Sequence, residues 1–383
     1  MSQALSGLKV LDLTMNLPGP YMTWLLALLG AEVIKIENPI GGDYSRALMA
    51  GEQSSPFFAA VNRNKKSVSL NLKHPEGKRL LLKLLDHYDV LVEGFRPGTM
   101  ERLGVGFDVT SVANPRLIQV SISGYGQTGP YRLRAGHDLN YLALAGILGM
   151  TGTRDGEPAI PGVQIADVAG GSLMAMTGLL AAVIQRERTG KGQLVDVSMF
   201  HGVLSLATMV FSGVEAGLES PEPGKMFLNG RYPCYGLYRT SDGEYMSLGA
   251  IELKFWQDFC TAVGREDLMG GQFGGPEIIA ELDKLFASRT LGQWIEIMAN
   301  ADACCEPVLK LDEAVQSPLA DARSMANYGP DGKRFLGCPL KLSESLPPSD
   351  KPAPALGQHT RDILAQVGIT DEEMQSLASE GVI

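Results

Sequence analysis

The chain has 383 residues, enough for two or three domains, and is 45% hydrophobic and 20% charged, as in folded globular proteins and unlike disordered or fibrous ones. Its 45 glycines, about 12% against a usual value near 7%, are scattered without a period, which excludes collagen and predicts many tight strand-to-helix turns. With 33 Lys and Arg against 43 Asp and Glu the net charge is −10, so nucleic acid is not an expected partner and an anionic ligand needs a local cluster of cations.

Residues Met1–Gly7 carry neither the basic region nor the apolar stretch of a signal peptide, and Gly381-Val382-Ile383 is not a peroxisomal address; a cytoplasmic protein is expected. The first 200 residues then alternate strand and helix patterns. Lys9–Thr14 reads as a strand, Pro18-Gly19-Pro20 opens an apolar helix over 21–29, and Glu32–Glu37 is a second strand. Further strands are expected at Ser67–Leu72, Val90–Glu93, Leu117–Ser123 and Gln193–Val197, with helices at Pro75–His87, His137–Gly149 and Asp167–Arg188. Such alternation predicts an α/β protein with a mostly parallel sheet. The longest apolar helical stretch, near Leu173–Ile184, is shorter than the roughly 18–20 residues that span a bilayer, so no membrane partner is expected.

After Gly213 the texture changes. Glu219–Gly224 reads as a linker, Tyr235–Thr240 and Glu244–Leu248 as a hairpin, and helical patterns run to about Asn300. The expected division is 1–218 as a large α/β domain, 225–325 as a small α+β domain, and 330–383, entered through a stretch with Pro347, Pro348, Pro352 and Pro354, as a C-terminal segment ending in a helical region over 360–378. The five cysteines, Cys234, Cys260, Cys304, Cys305 and Cys338, contain no Cys-x-x-Cys, so neither a disulfide framework nor a metal site is expected.

Chemical signals are sparse. Gly124-Tyr125-Gly126-Gln127-Thr128-Gly129 matches G-x-G-x-x-G after a strand, but Pro130 follows where a helix should start and no acid lies about 20 residues on. A turn is the better reading, and NAD is not an expected cofactor. Cations cluster between 63 and 134, at Arg63, Lys65, Lys66, Lys73, Arg96, Arg102, Arg132 and Arg134. They are either solvated surface or a phosphate grip at the carboxyl ends of strands. His137 is one of five histidines and is either structural or catalytic. Asp167, entering an apolar helix, is either an N-cap or a carboxylate beside an anion-binding helix start. Glu252, after a strand, has the same two readings.

Taken together, the segments Pro18-Gly19-Pro20, Ile36-Glu37-Asn38-Pro39, Glu93-Gly94-Phe95-Arg96-Pro97-Gly98, Ser123–Pro130, Ala135-Gly136-His137-Asp138-Leu139-Asn140-Tyr141, Ala166-Asp167 with Gly170-Gly171, Gly249-Ala250-Ile251-Glu252 and Pro307-Val308-Leu309 resemble the family III CoA-transferase superfamily over nearly the whole chain. Gly-His-Asp-x-Asn-Tyr and Gly-Ala-Ile-Glu resemble its α-methylacyl-CoA racemase branch, whereas Asn62-Arg63-Asn64-Lys65-Lys66-Ser67 is closer to its transferases. Asn38 stands where the family often carries an arginine, and Gly230-Arg231-Tyr232-Pro233 departs from its small-residue loop.

The resemblance implies a large Rossmann-like α/β domain, a smaller α+β domain and an interlocked homodimer. It implies an acyl-CoA substrate, with CoA as part of the substrate and no separate cofactor. Racemisation removes the proton α to a thioester carbonyl and returns one to the opposite face, which requires two acid/base groups. The implied pair is His137 and Asp167, with Glu252 orienting the imidazole and backbone N–H groups beside Asp167 holding the enolate oxygen. The implied CoA contacts are Asn16, Asn38, Leu70, Lys73, Phe95, Arg96, Arg102, Arg134, Ala135, Gly136, Asp138, Asn140 and Tyr141. In a transferase, Asp167 would instead be a nucleophile carrying acyl and CoA thioesters.

Overall fold

The computed structural model describes residues 2–49, 55–329, 332–347 and 350–383; Pro348 and the first residues of the expected 330–383 segment lie outside them. In chain order the elements of the first half are β1 (Lys9–Leu13), α1 (Pro18–Leu28), β2 (Glu32–Glu37), α2 (Pro56–Asn62), β3 (Lys66–Ser69), α3 (Pro75–Leu85), β4 (Val90–Glu93), α4 (Thr99–Leu103), α5 (Phe107–Ala113), β5 (Ile118–Ser123), α6 (Asp138–Leu144) and α7 (Ile147–Met150). A π-helix, Ala166–Leu173, runs directly into α8 (Met174–Thr189), followed by β6 (Leu194–Ser198), α9 (Met199–Ser205) and α10 (Thr208–Glu215). The second half holds β7 (Tyr235–Arg239), β8 (Tyr245–Gly249), α11 (Leu253–Ala262), α12 (Pro276–Phe286), α13 (Leu291–Met298), β9 (Cys305–Pro307), α14 (Leu311–Ala314), α15 (Pro318–Ala322), β10 (Ala326–Tyr328), β11 (Arg334–Leu336), α16 (Thr360–Gln366) and α17 (Asp371–Ser379).

The chain divides into two compact units. One comprises residues 1–145, 163–206 and 319–383; the other comprises 146–162 and 207–318. This differs from the expected bounds. The Glu219–Gly224 segment is no linker but lies inside the smaller unit, where Glu219 accepts the Phe227 N–H at 3.1 Å and the Asn229 side chain donates to the Met150 carbonyl at 2.7 Å.

In the larger unit six parallel strands lie in the order β3-β2-β1-β4-β5-β6. The central strands are covered on both faces, so they are almost continuously buried rather than alternating. Val10, Leu11, Ile34, Leu91 and Ile118 are all fully buried. This is the doubly wound order, in which the connections reverse between β1 and β4 and leave a crevice at the strands' carboxyl ends.

Beneath the N-terminus of α1 the structure buries two lysines. Lys65 Nζ reaches the Asp12 carboxylate (3.0 Å), the Pro20 carbonyl (3.0 Å), the Thr23 hydroxyl (2.7 Å) and the Asn62 amide oxygen (2.9 Å). Lys35 Nζ reaches the Thr14 carbonyl (2.7 Å) and Asp43 (2.9 Å). Burial pushes the Lys65 ammonium down to about 8, against the pull of Asp12. Lys65 is therefore a staple and not part of a phosphate grip; Arg63 too is engaged, paired with Asp350 and stacked on Phe335 at 3.9 Å.

The helix expected at Asp167–Arg188 is longer than its apolar stretch implied. From Ala166 to Thr189 it runs 24 residues and, by length and composition, is long and apolar enough to cross a membrane. Its packing is that of an α/β layer helix: Gly170 and Gly171 meet α9 and α1, Leu179 is fully buried, and Arg186 pairs with Asp89 at 3.0 Å. In the smaller unit β7, β8 and β9 form an antiparallel sheet, backed by a core including Tyr238, Trp256, Phe259, Phe286 and Trp294.

Candidate active site

Where β1, β2 and β4 end, a cleft of about 280 Å³ is lined by Thr14, Met15, Asn38, Leu70, Lys73, Phe95 and Thr99, among others. Four of the expected CoA contacts, Asn38, Leu70, Lys73 and Phe95, thus share one crevice. Leu70 is a core side chain forming its wall, only 1% exposed, while Lys73 extends into solvent. Asn38 spends its side-chain oxygen on its own turn, accepting the Ile40 N–H at 2.8 Å. Asn16 adopts φ 64° and donates its N–H to Asp43 at 3.0 Å. Arg102 is exposed and donates to the hydroxyl of the cleft residue Thr99 at 2.8 Å.

Arg96 faces a second cleft, of about 270 Å³, with Glu93, Gln127 and Arg132. Glu93 accepts the Phe95 N–H at 2.8 Å and so fixes the turn between the two clefts. Burial pushes its carboxyl up to about 7, partly offset by hydrogen bonds from Ser121 and the Phe95 N–H. The sequence pattern carries this glutamate as the first residue of the Glu93–Gly98 segment but gives it no role.

His137 is the exposed N-cap residue of α6, where the Asn140 side chain accepts its N–H at 3.0 Å. The next residue, Asp138, reaches across to the π-helix: its Oδ1 accepts the N–H of Ala166 at 2.6 Å and of Asp167 at 3.0 Å. One carboxylate therefore ties the turn bearing His137 to the backbone of Asp167. Asp167 is not an N-cap; it is the second residue of the π-helix, entered through helical Ile165. Burial first, and the Asp138 charge second, push its carboxyl up to about 7.

The N–H groups of Ala166 and Asp167 are occupied by Asp138, and that of Val168 by the Gln164 carbonyl at 3.0 Å. They are not available to an enolate oxygen, which corrects the expectation that the start of this helix would hold one.

The surrounding wall is aromatic. The Tyr141 hydroxyl donates to the Gly136 carbonyl at 2.6 Å, and burial with the nearby Asp167 charge raises its pKa. A Cβ on Gly136 would lie 2.7 Å from the Tyr141 ring, and one on Gly124 would lie 2.6 Å from its hydroxyl, so both glycines are required for this approach. Tyr125 packs edge-on against Tyr141 and Tyr131, and its buried hydroxyl has no partner among the described residues. The chain over Gly124–Gly129 turns without starting a helix, and the next helix begins at Asp138. Arg134 is exposed and lies 4.6 Å over the Tyr131 ring, and Ala135 is exposed beside it.

Glu252 belongs to the smaller unit. It stands at the N-cap position of α11 as expected of a cap, yet its exposed carboxylate makes no capping bond. The Gln272 amide holds the preceding turn through the carbonyls of Ala250 (3.0 Å) and Ile251 (2.7 Å). Asp138, expected against CoA, is spent on backbone amides, and Glu93, given no role by the sequence, fixes the Phe95 turn.

The chain is 36% identical over 99% of its length to human alpha-methylacyl-CoA racemase, of which it covers 97%. It is 34% identical over its full length to a formyl-CoA:oxalate CoA-transferase of Streptomyces avermitilis, covered completely. The crystal structure of a CAIB/BAIF family protein from Brucella suis superimposes with a TM-score of 0.83 at 30% identity, over 96% of this chain and all of that one. With residues 5–360 matching the family described as CoA-transferase family III, the chain is a member of that family, an enzyme of the CoA-transferase and racemase type.

Proposed function

We propose that this enzyme interconverts the (R) and (S) epimers of 2-methylacyl-CoA thioesters by removing and returning the α proton. The observation that carries the reading is the tie between the turn bearing His137 and the backbone of Asp167, made by the single carboxylate of Asp138, together with an Asp167 carboxyl pushed up to about 7. A carboxyl with that affinity exists in both forms near neutrality, so it serves as base in one direction and acid in the other. In one direction the Asp167 carboxylate takes the α proton and the His137 imidazolium delivers one to the opposite face; in the other the neutral imidazole takes it and protonated Asp167 delivers.

The transferase reading asks Asp167 to attack as a carboxylate. Burial and the Asp138 charge, which leave Asp167 in both forms near neutrality, suit a group that must both take and give a proton, whereas a nucleophile has no use for the protonated form, and this supports the racemase. We assign Glu252 the orienting role on the family pattern alone; its uncapped carboxylate leaves it free for that. CoA is proposed to lie along the cleft at Asn38, Lys73 and Phe95, with Arg96 and Arg102 near its phosphates. A homodimer is proposed too: in the larger unit alone, Leu139, Leu144, Leu173, Ile184, Leu204 and Leu206 are each more than two-fifths exposed, an apolar surface that a second copy would cover.

The test is one enantiomer of a 2-methylacyl-CoA in D2O with no acceptor acid present. Expected are α-deuterium uptake and appearance of the other epimer, each falling at least ~100-fold in His137→Ala and Asp167→Ala. Absence of exchange across several branched acyl groups, with CoA transfer to an added acid, overturns the racemase in favour of the transferase.

A further inference from the structure

The carboxylate of Asp138 acts on Asp167 in two separable ways. Through one oxygen it accepts the N–H groups of Ala166 and Asp167, closing the open end of the π-helix from a different helix. Through its charge it stands beside the Asp167 carboxyl, and two neighbouring carboxylates disfavour being ionised together. Its own position is fixed, because the preceding residue's N–H is held by Asn140.

The other groups around Asp167 do not substitute for it. Tyr141 on α6 is committed to the Gly136 carbonyl, and Arg96, from the turn after β4, acts on Tyr141 together with Tyr125. The side of α9 packed on the π-helix presents Met199, Gly202 and Val203, and α1 presents Pro18, none of them titratable.

We propose that Asp138 is a positioning residue of the reaction, fixing the Asp167 backbone against the His137 turn and setting a second carboxylate next to that residue. The inference rests on the reading of Asp167 as an acid/base group, and its test has one arm that needs no turnover. Asp138→Asn retains an oxygen for the two amides but removes the charge, whereas Asp138→Ala removes both. The carboxyl titration of Asp167, followed by 13C NMR and assigned with Asp167→Asn, should move to lower pH by about one unit in Asp138→Asn.

In the D2O exchange assay the acidic limb of the kcat/KM profile should move the same way. Asp138→Ala should lose about 100-fold in kcat at every pH, the scale of a misplaced catalytic group, with KM changed less than threefold. A titration in Asp138→Asn that superimposes on the wild type, or an Asp138→Ala enzyme with wild-type kcat, overturns the proposal. If the wild type exchanges no α proton, the racemase reading fails by itself, and the NMR arm still decides whether Asp138 governs the Asp167 proton.

Discussion

Glu93 is 3% exposed at the carboxyl end of β4 and has no cation among the causes of its shift. Its affinity for a proton rises from 4.5 in the unfolded chain to about 7 in the fold, so the folded state binds the proton more tightly. The group's stabilising contribution is complete below about 4.5 and is lost as pH rises through about 7, a cost on the order of 3 kcal/mol. Glu93→Gln retains an acceptor for the Phe95 N–H and cannot ionise. Its melting temperature should therefore gain on the wild type as pH rises from 5 to 8; a gap that does not change with pH would refute this account. At the same scale, His137, Asp167 and Glu252 could be singled out because a motif names residue types in order. The work of Asp138 could not be, because a hydrogen bond to amides 28 and 29 residues away leaves no mark on local spacing. Lys65 was misread for the same reason: its partners Asp12 and Thr23 lie 53 and 42 residues away.

The elements separate in the same manner by what forms them. β2 and β4 have the bounds expected from sequence, and β1, β5 and β6 shift by a residue, because each is a short run rich in Val, Ile or Leu set between Gly, Pro, Asn or Asp. The helix expected over His137–Gly149 is instead broken into α6 and α7 at Gly146, whose φ is 78°. The π-helix was illegible, since its geometry follows from what packs on it. Gly202 of α9 sits so close that a Cβ would lie 2.0 Å from the Gly170 carbonyl oxygen, and a Cβ on Gly170 would lie 2.7 Å from the Met199 carbonyl oxygen. Both neighbours are backbone and cannot rotate away. Gly202→Ala should push the π-helix off α9, destabilising the protein by about 1–3 kcal/mol and lowering exchange activity through displacement of Asp167. Gly149→Ala, where a Cβ meets nothing within 4 Å, should do neither. Equal melting temperatures and activities for the two variants would show that the glycine contact does not set this geometry.

At the scale of the molecule, the C-terminal segment completes the larger unit. The outer edge of β3 would otherwise expose unpaired amides, a template for aggregation. Instead the Gly357 N–H donates to the Ser67 hydroxyl (2.9 Å), the Ser67 N–H to His359 Nδ1 (3.2 Å), the Ser69 N–H to the Thr360 hydroxyl (2.9 Å) and the Asn71 N–H to the Val382 carbonyl (2.7 Å). Ile363, Leu364, Ile369, Met374, Leu377 and Val382 then join the core formed by β1–β4 and α3. That a late segment covers an early strand is a contact of high sequence separation, paid for in chain entropy before it is rewarded. The sequence pattern showed helices there without showing what they cover. Leu364 is fully buried on α16, and Leu364→Ala should destabilise by about 2–5 kcal/mol. If the segment is integral, chemical denaturation of that variant stays a single transition with a lower midpoint. If it is an appendage, the 319–383 segment detaches first, and exchange of the Ser67 and Ser69 amides rises before the rest of the β3 side opens. Hydrogen exchange at those two amides distinguishes the outcomes, and the shared core predicts the single transition.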